Sequence, residues 1–228
     1  MKSIVFDVYG TLLDVYSIKA LLEKFAPGKG AAMANTWRTK QIDYTRLRTI
    51  YGKKKYKKFW EITKDALAYT ISEHRVELSS KQAERLLTEY SKLKPFPETL
   101  KSLKYLKKAG YNLSVLSNGN KQMLDEALDS SKISAFLDCI ISVDDIKLFK
   151  VHPSVYSLIG KSKQINVENV VFVSSNHWDI VGAGWSGFET FWINRYNLIP
   201  EVLDYVADAE GKNLEALVEF LKNQKKSG

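Results

Sequence analysis

The chain has almost no cysteine, little histidine and no long apolar run. Its single Cys139 excludes an internal disulfide framework. That residue lies in Cys139-Ile140-Ile141, where a buried, inert thiol is the expectation. His74, His152 and His177 stand far apart, without the spacing of a zinc site. No stretch approaches the roughly 20 apolar residues of a membrane-spanning helix. The opening apolar run Ile4-Val5-Phe6 is cut by Asp7, too early for a signal peptide. A cytoplasmic protein without membrane, metal or disulfide support is therefore expected.

What is present is enough apolar material for a packed core. At 228 residues and 45% hydrophobic content, the chain can hold one sizeable domain with an inserted module. Charge is unevenly spread. Residues 14–95 carry 18 of the 34 Lys and Arg but only 9 of the 26 Asp and Glu. The remainder is close to neutral. A basic block of this kind admits nucleic-acid binding. However, Lys53-Lys54-Lys55 and Lys57-Lys58 lack interleaved glycine-rich or stacking residues, which favours a solvated lysine face.

The two blocks also differ in pattern. Residues 1–13 give one strand and a turn. Residues 14–95 offer helical patterns near 17–25, 32–50, 56–72 and 79–93, with Ser79 as a cap and Gln82 three residues on. From 96 onward helix and strand alternate: helix 98–109, strand 112–116, helix 121–130, strand 139–143, helix 154–160, strand 170–174, helix 179–185, strand 189–193 and helix 214–222. Residues 223–228 read as a frayed tail. Alternation implies an α/β fold, a doubly wound parallel sheet covered by helices. The expected organisation is an α/β core of residues 1–13 and 96–228 with a helical cap of residues 14–95.

Apolar, β-branched strands end directly before Asp7-Val8-Tyr9-Gly10-Thr11, Ser117-Asn118-Gly119 and Ser174-Ser175-Asn176-His177-Trp178-Asp179. Ligands of open α/β sheets bind beyond the carboxyl ends of the strands. These polar residues should therefore meet in one crevice. A carboxylate at the end of a buried strand is costly unless partnered or used. Ser117 and Asn118, between a strand and a helix, sit where free backbone donors suit an anion.

These segments, with Lys150, resemble the haloacid dehalogenase superfamily and in detail the L-2-haloacid dehalogenases. The resemblance covers nearly the whole chain. It includes Trp37-Arg38-Thr39-Lys40-Gln41-Ile42-Asp43-Tyr44 and Phe191-Trp192-Ile193-Asn194-Arg195. It implies a homodimer and an enzyme without cofactor or metal. Its substrate would be a small 2-halocarboxylate and its products a halide and a 2-hydroxyacid, with inversion at carbon 2. Asp7 would be the nucleophile and form an ester. Lys150 would hold Asp7 ionised. Asp179 would activate or orient the water that opens the ester. Thr11 would steady Asp7, while Tyr156, Ser174 and Asn176 would fix the charged groups. Ser117 would take the substrate carboxylate and Asn118 would face the halide. Arg38 would receive halide or carboxylate through its rigid donor fork. Tyr9, Ile42, Phe59 and Trp178 match apolar pocket positions, although isolated aromatics are more often core.

Tyr9 stands where superfamily phosphatases resemble Asp-x-Asp and carry a general acid. A halide leaves without a proton, so its absence points to dehalogenation. A phosphatase acting on a small phosphoester is the enzyme alternative, and a basic interaction module the non-enzyme one. The segment Lys150-Val151-His152-Pro153 departs from the family's usual Lys-Pro, which predicts a looser loop. His177 is not assigned to the site. Gly182-Ala183-Gly184-Trp185-Ser186-Gly187 fits a dinucleotide-binding pattern, but it falls within or after a helix rather than opening one behind a strand.

Overall fold

A computed structural model describes residues 2–162, 165 and 167–227. Strand β1 (Ser3–Phe6) is fully buried and lies at the centre of a six-stranded parallel sheet. The other strands are β2 (Asn112–Ser117), β3 (Cys139–Ser142), β4 (Val170–Ser174), β5 (Glu189–Ile193) and β6 (Ala209–Gly211). Their order is β3-β2-β1-β4-β5-β6. Val5 of β1 pairs with Ser114 on one side and Phe172 on the other. Burial on both sheet faces explains why β1 and β4 read as continuous apolar runs rather than alternating ones.

Helices α5 (Thr99–Lys108), α6 (Lys121–Ser130), α7 (Pro153–Lys161), α8 (His177–Trp185) and α9 (Leu214–Ser227) follow the strands. Right-handed crossovers put α5 and α6 on one face and α7 and α8 on the other. Accordingly α5 packs on α9, and α7 on α8. Chain direction across the sheet reverses between β1 and β4, so a crevice opens above their carboxyl ends.

Between β1 and α5 the chain forms α1 (Lys19–Phe25), α2 (Gly30–Tyr51), α3 (Phe59–Glu73) and α4 (Ser80–Ser91). These helices make an inserted cap beside the strand ends. At α4 the expected cap forms: Gln82 N–H donates to Ser79 Oγ at 3.3 Å, and Ser79 N–H to Gln82 Oε1 at 2.8 Å. The two chain crossings into and out of the insertion lie side by side. Leu13 bridges Pro95 in antiparallel fashion. Asp14 N–H donates to Lys94 O at 2.8 Å and Phe96 N–H to Leu12 O at 3.1 Å.

Two expectations need correction. Helix α9 continues to Ser227 instead of fraying after 222. Its polar end is tied down, since Lys2 Nζ donates to Gln224 Oε1 and Gln224 Nε2 to Glu189 Oε1, both at 2.6 Å. Strand β6 was not expected at all. Its Ala-Glu-Gly sequence carries no strand pattern, and only pairing with β5 makes it a strand.

Candidate active site

Asp7 is the first residue after β1, and its N–H still donates to Val173 O of β4 at 2.9 Å. That bond fixes the side chain at the head of the crevice. Its carboxylate is surrounded by donors. Lys150 Nζ donates to Oδ1 at 3.0 Å, while Thr11 Oγ1 and Asn176 Nδ2 donate to Oδ2 at 3.0 and 2.9 Å. Thr11 is placed by the turn after β1: Ser175 N–H donates to its Oγ1 at 2.9 Å. Ser175 Oγ in turn donates to Gly10 O at 2.7 Å. Gly10 has φ +97° and would place a Cβ 3.3 Å from that same Ser175 Oγ, so the turn needs glycine.

Lys150 is a shared cation. Its side chain has no exposed surface, and it also donates to Asp179 Oδ2 at 2.8 Å. Burial works against the ammonium, but Asp179 and Asp7 outweigh it and hold its pKa above the usual lysine value. Asp179, in the first turn of α8, is fully buried. Burial pushes its carboxyl up to about 6; Lys150 opposes the rise and Asp7 adds to it. Tyr156 OH, from α7, donates to Asp179 Oδ1 at 2.8 Å. The ammonium thus bridges the two carboxylates. Among the described residues no three His, Cys, Asp or Glu side chains cluster for a metal.

Arg38 reaches down from α2. Its Nη2 donates to Tyr9 O at 3.1 Å and to Asn176 Oδ1 at 3.4 Å. Arg38, Ile42, Asn176, Ser175 and Tyr196 line a cavity of about 170 Å³, which Asn176 links to Asp7. Tyr9 is buried between the rings of Phe59 (5.8 Å) and Tyr90 (6.4 Å). Burial holds its phenol un-ionised, well above its ordinary value. Its hydroxyl has no hydrogen-bond partner among the described residues, which costs about 1–3 kcal/mol.

Other expected residues have local duties. Ser117 Oγ accepts from Gly119 N–H at 3.1 Å, Ser174 Oγ from Asn176 N–H at 3.1 Å, and Asn118 Oδ1 from Lys150 N–H at 2.9 Å. Ser174 therefore acts on Asp7 only through Asn176. Trp178 is half-buried with the Arg46 guanidinium 5.3 Å above its ring, set against the cap. The loop after Lys150, expected to be loose, is anchored: His152 Nδ1 accepts from Ser154 N–H at 3.2 Å and caps α7. His177 packs edge-on to Trp192, and its Nδ1 accepts from Glu201 N–H at 3.2 Å, away from the carboxylates. The glycines of α8 serve packing. A Cβ at Gly182 would lie 2.4 Å from the Tyr156 hydroxyl, and one at Gly184 would lie 1.9 Å from the Tyr205 ring.

Sequence reasoning missed Ser175, Tyr90 and the network behind Arg38. Tyr90 OH donates to Gln41 Oε1 and Gln41 Nε2 to Thr63 Oγ1, both at 2.9 Å. Helical spacing places Gln41 beside Trp37 and Arg38, but no signal linked it to Tyr90.

An aspartate directly after the first strand of this sheet, a lysine bridging it to a second aspartate and an inserted helical cap define a class of α/β hydrolases. A model of the haloacid dehalogenase-like hydrolases matches residues 1–187, and the chain belongs to that family. Within it the chain groups with the L-2-haloacid dehalogenases. The haloacetate dehalogenase H-2 of Moraxella sp. (strain B) is 38% identical, over 97% of this chain and 98% of its own. A crystal structure of an L-2-haloacid dehalogenase superposes with a TM-score of 0.94 at 42% identity, covering 97% of this chain and 99% of that one. The L-2-haloacid dehalogenase of Xanthobacter autotrophicus, with chloropropionic acid covalently bound, superposes with a TM-score of 0.89 at 29% identity over 97% and 98% of the two chains.

Proposed function

We propose that the chain hydrolyses the carbon–halogen bond of short L-2-haloacids and releases D-2-hydroxyacids. One observation carries the mechanism. Asp7 is ion-paired with Lys150 and flanked by Thr11 and Asn176, and a neutral, buried Tyr9 stands where a leaving-group acid would be needed. A carboxylate held this way can attack carbon but offers no proton to an alkoxide.

In the first step an Asp7 oxygen attacks carbon 2 opposite the halogen. The new C–O bond forms as the C–X bond breaks, and halide departs with the electron pair. Carbon 2 inverts. Arg38 and Asn118 are assigned to the halide side, and Ser117 to the substrate carboxylate. In the second step water adds to the Asp7 carboxyl carbon, and the bond from that carbon to the substrate oxygen breaks. Asp179 takes the water's proton and passes it to the departing substrate oxygen, which leaves as the hydroxyl of the 2-hydroxyacid, and Lys150 stabilises the charge that develops on the ester carbonyl. Tyr9, Ile42, Phe59 and Trp178 are assigned to the apolar walls, and no metal or organic cofactor takes part.

The proposal places the core at residues 1–13 and 96–228 and the cap at 14–95, because the two crossings pair at Leu13 and Pro95. It also includes a cytoplasmic homodimer, in which Leu47, Ile50 and Tyr51, at least 63% exposed at the end of α2, would be covered. The decisive experiment is incubation with L- and D-2-chloropropionate in chelator. Chloride and D-lactate are expected from the L substrate alone. Folded protein that releases chloride from neither enantiomer refutes the function. A first turnover in ¹⁸O water that labels product before Asp7 refutes the ester.

A further inference from the structure

Lys150 is gripped from two bodies at once. Its own N–H is held from the core, by Asn118 Oδ1 at 2.9 Å. The preceding N–H, of Phe149, donates instead to the Thr49 hydroxyl of α2, in the cap, at 3.0 Å. Phe149 is fully buried. Its ring stacks on Tyr56 at 5.0 Å and meets Phe59 at 6.5 Å, both cap residues. Tyr56 OH donates onward to Asp144, which also accepts from Lys121 N–H at 3.3 Å. Trp60 N–H, at the start of α3, donates to Asn120 Oδ1 at 3.1 Å. The bonds of Thr49, Tyr56 and Trp60 run from the cap to the core segment between β2 and α7 that carries Asn118 and Lys150.

The ammonium has no slack at its far end. It sits 3.0 Å from Asp7 and 2.8 Å from Asp179, out of solvent. A side chain pinned at its tip transmits any shift of its backbone directly to the ion pairs. We propose that Thr49 is a positioning residue: by holding the Phe149 amide, the seated cap sets Lys150 between Asp7 and Asp179. Tyr56 buttresses this grip through the Phe149 ring and Asp144. The inference deepens the proposed function and rests on its reading that Lys150 serves both carboxylates.

Thr49→Val tests it by removing the acceptor while keeping the shape. With L-2-chloropropionate, kcat should fall about tenfold while KM moves less than about twofold, since misplacement of a catalytic group acts on the chemical step. The acid limb of kcat should also move to higher pH. Asp179 is faced by Lys150, Asp7 and Tyr156, and of these only the lysine opposes protonation by its charge. Moving it away makes Asp179 easier to protonate. Thr49→Ser should restore both readouts, and Tyr56→Phe should shift them in the same direction as Thr49→Val. A Thr49→Val protein with parental kcat, or one that melts earlier while its acid limb stays put, overturns the inference. Lys150→Met is run beside it and should be inactive. Parental turnover there would overturn the underlying reading of Lys150 itself.

Discussion

Replacing Lys150 by Met keeps the stem and removes the charge that two carboxylates share. The ammonium lies 3.0 Å from Asp7 Oδ1 and 2.8 Å from Asp179 Oδ2. At about 3 Å and an effective dielectric near 20, each attraction is worth roughly 5–6 kcal/mol before desolvation is subtracted. Stripping water from the ammonium takes back several kcal/mol. What remains uncompensated after the substitution is a pair of buried carboxylates. Breaking a buried charge cluster in this way costs about 3–5 kcal/mol. The cost should depend on pH, with a definite sign. Asp179 sits at about 6 even with the lysine present, and losing the lysine raises it further. A carboxyl whose folded pKa exceeds its unfolded value, near 3.9, contributes stability that is full below the unfolded value and lost as pH rises through the folded one. The deficit of Lys150→Met relative to the parent should therefore be largest near pH 8 and shrink toward pH 5. Urea unfolding at both values measures it, with chloride release followed in parallel. A deficit under about 1 kcal/mol, or one that grows on acidification, would show that the lysine does not neutralise this pair.

Arg38→Lys keeps the charge but loses the planar guanidinium whose Nη2 reaches both Tyr9 O and Asn176 Oδ1. Steady-state kinetics should show kcat/KM lower by about 10–100-fold with little change in melting temperature. Gly182→Ala drives a Cβ to within 2.4 Å of the Tyr156 hydroxyl. It should cost about 1–3 kcal/mol in unfolding free energy and lower kcat by pulling Tyr156 from Asp179; unchanged values of both would mean that α8 shifts freely.

Much of the core was legible because buried parallel strands announce themselves. Ile4-Val5-Phe6 and Val170-Val171-Phe172-Val173 are apolar on both faces, so each marked both a strand and the polar segment that follows it. The crevice then followed from topology. Asp7 and Asp179 were legible through the same logic, and Lys150 only through the resemblance. What escaped depends on distant partners. β6 exists only because β5 pairs with it. The end of α9 is held by Lys2 and Glu189, more than 30 residues away in sequence. Ser175 lies in a run of three small polar residues, where nothing local shows which hydroxyl turns toward Gly10. Thr49 and Tyr56 lie on the exposed-looking basic stretch of the cap, and only their contacts with Phe149 and Asp144 reveal them.

The pairing of Leu13 with Pro95 means that the helical insertion leaves and rejoins the sheet through one seam. Nothing in the strand order depends on what lies between those two residues. Helices could be lengthened, exchanged or trimmed there without rethreading a single β-strand. Asp7 and Asp179 stay with the sheet whatever the insertion becomes, but any replacement would have to supply again the bonds that Arg38 and Thr49 make across the seam.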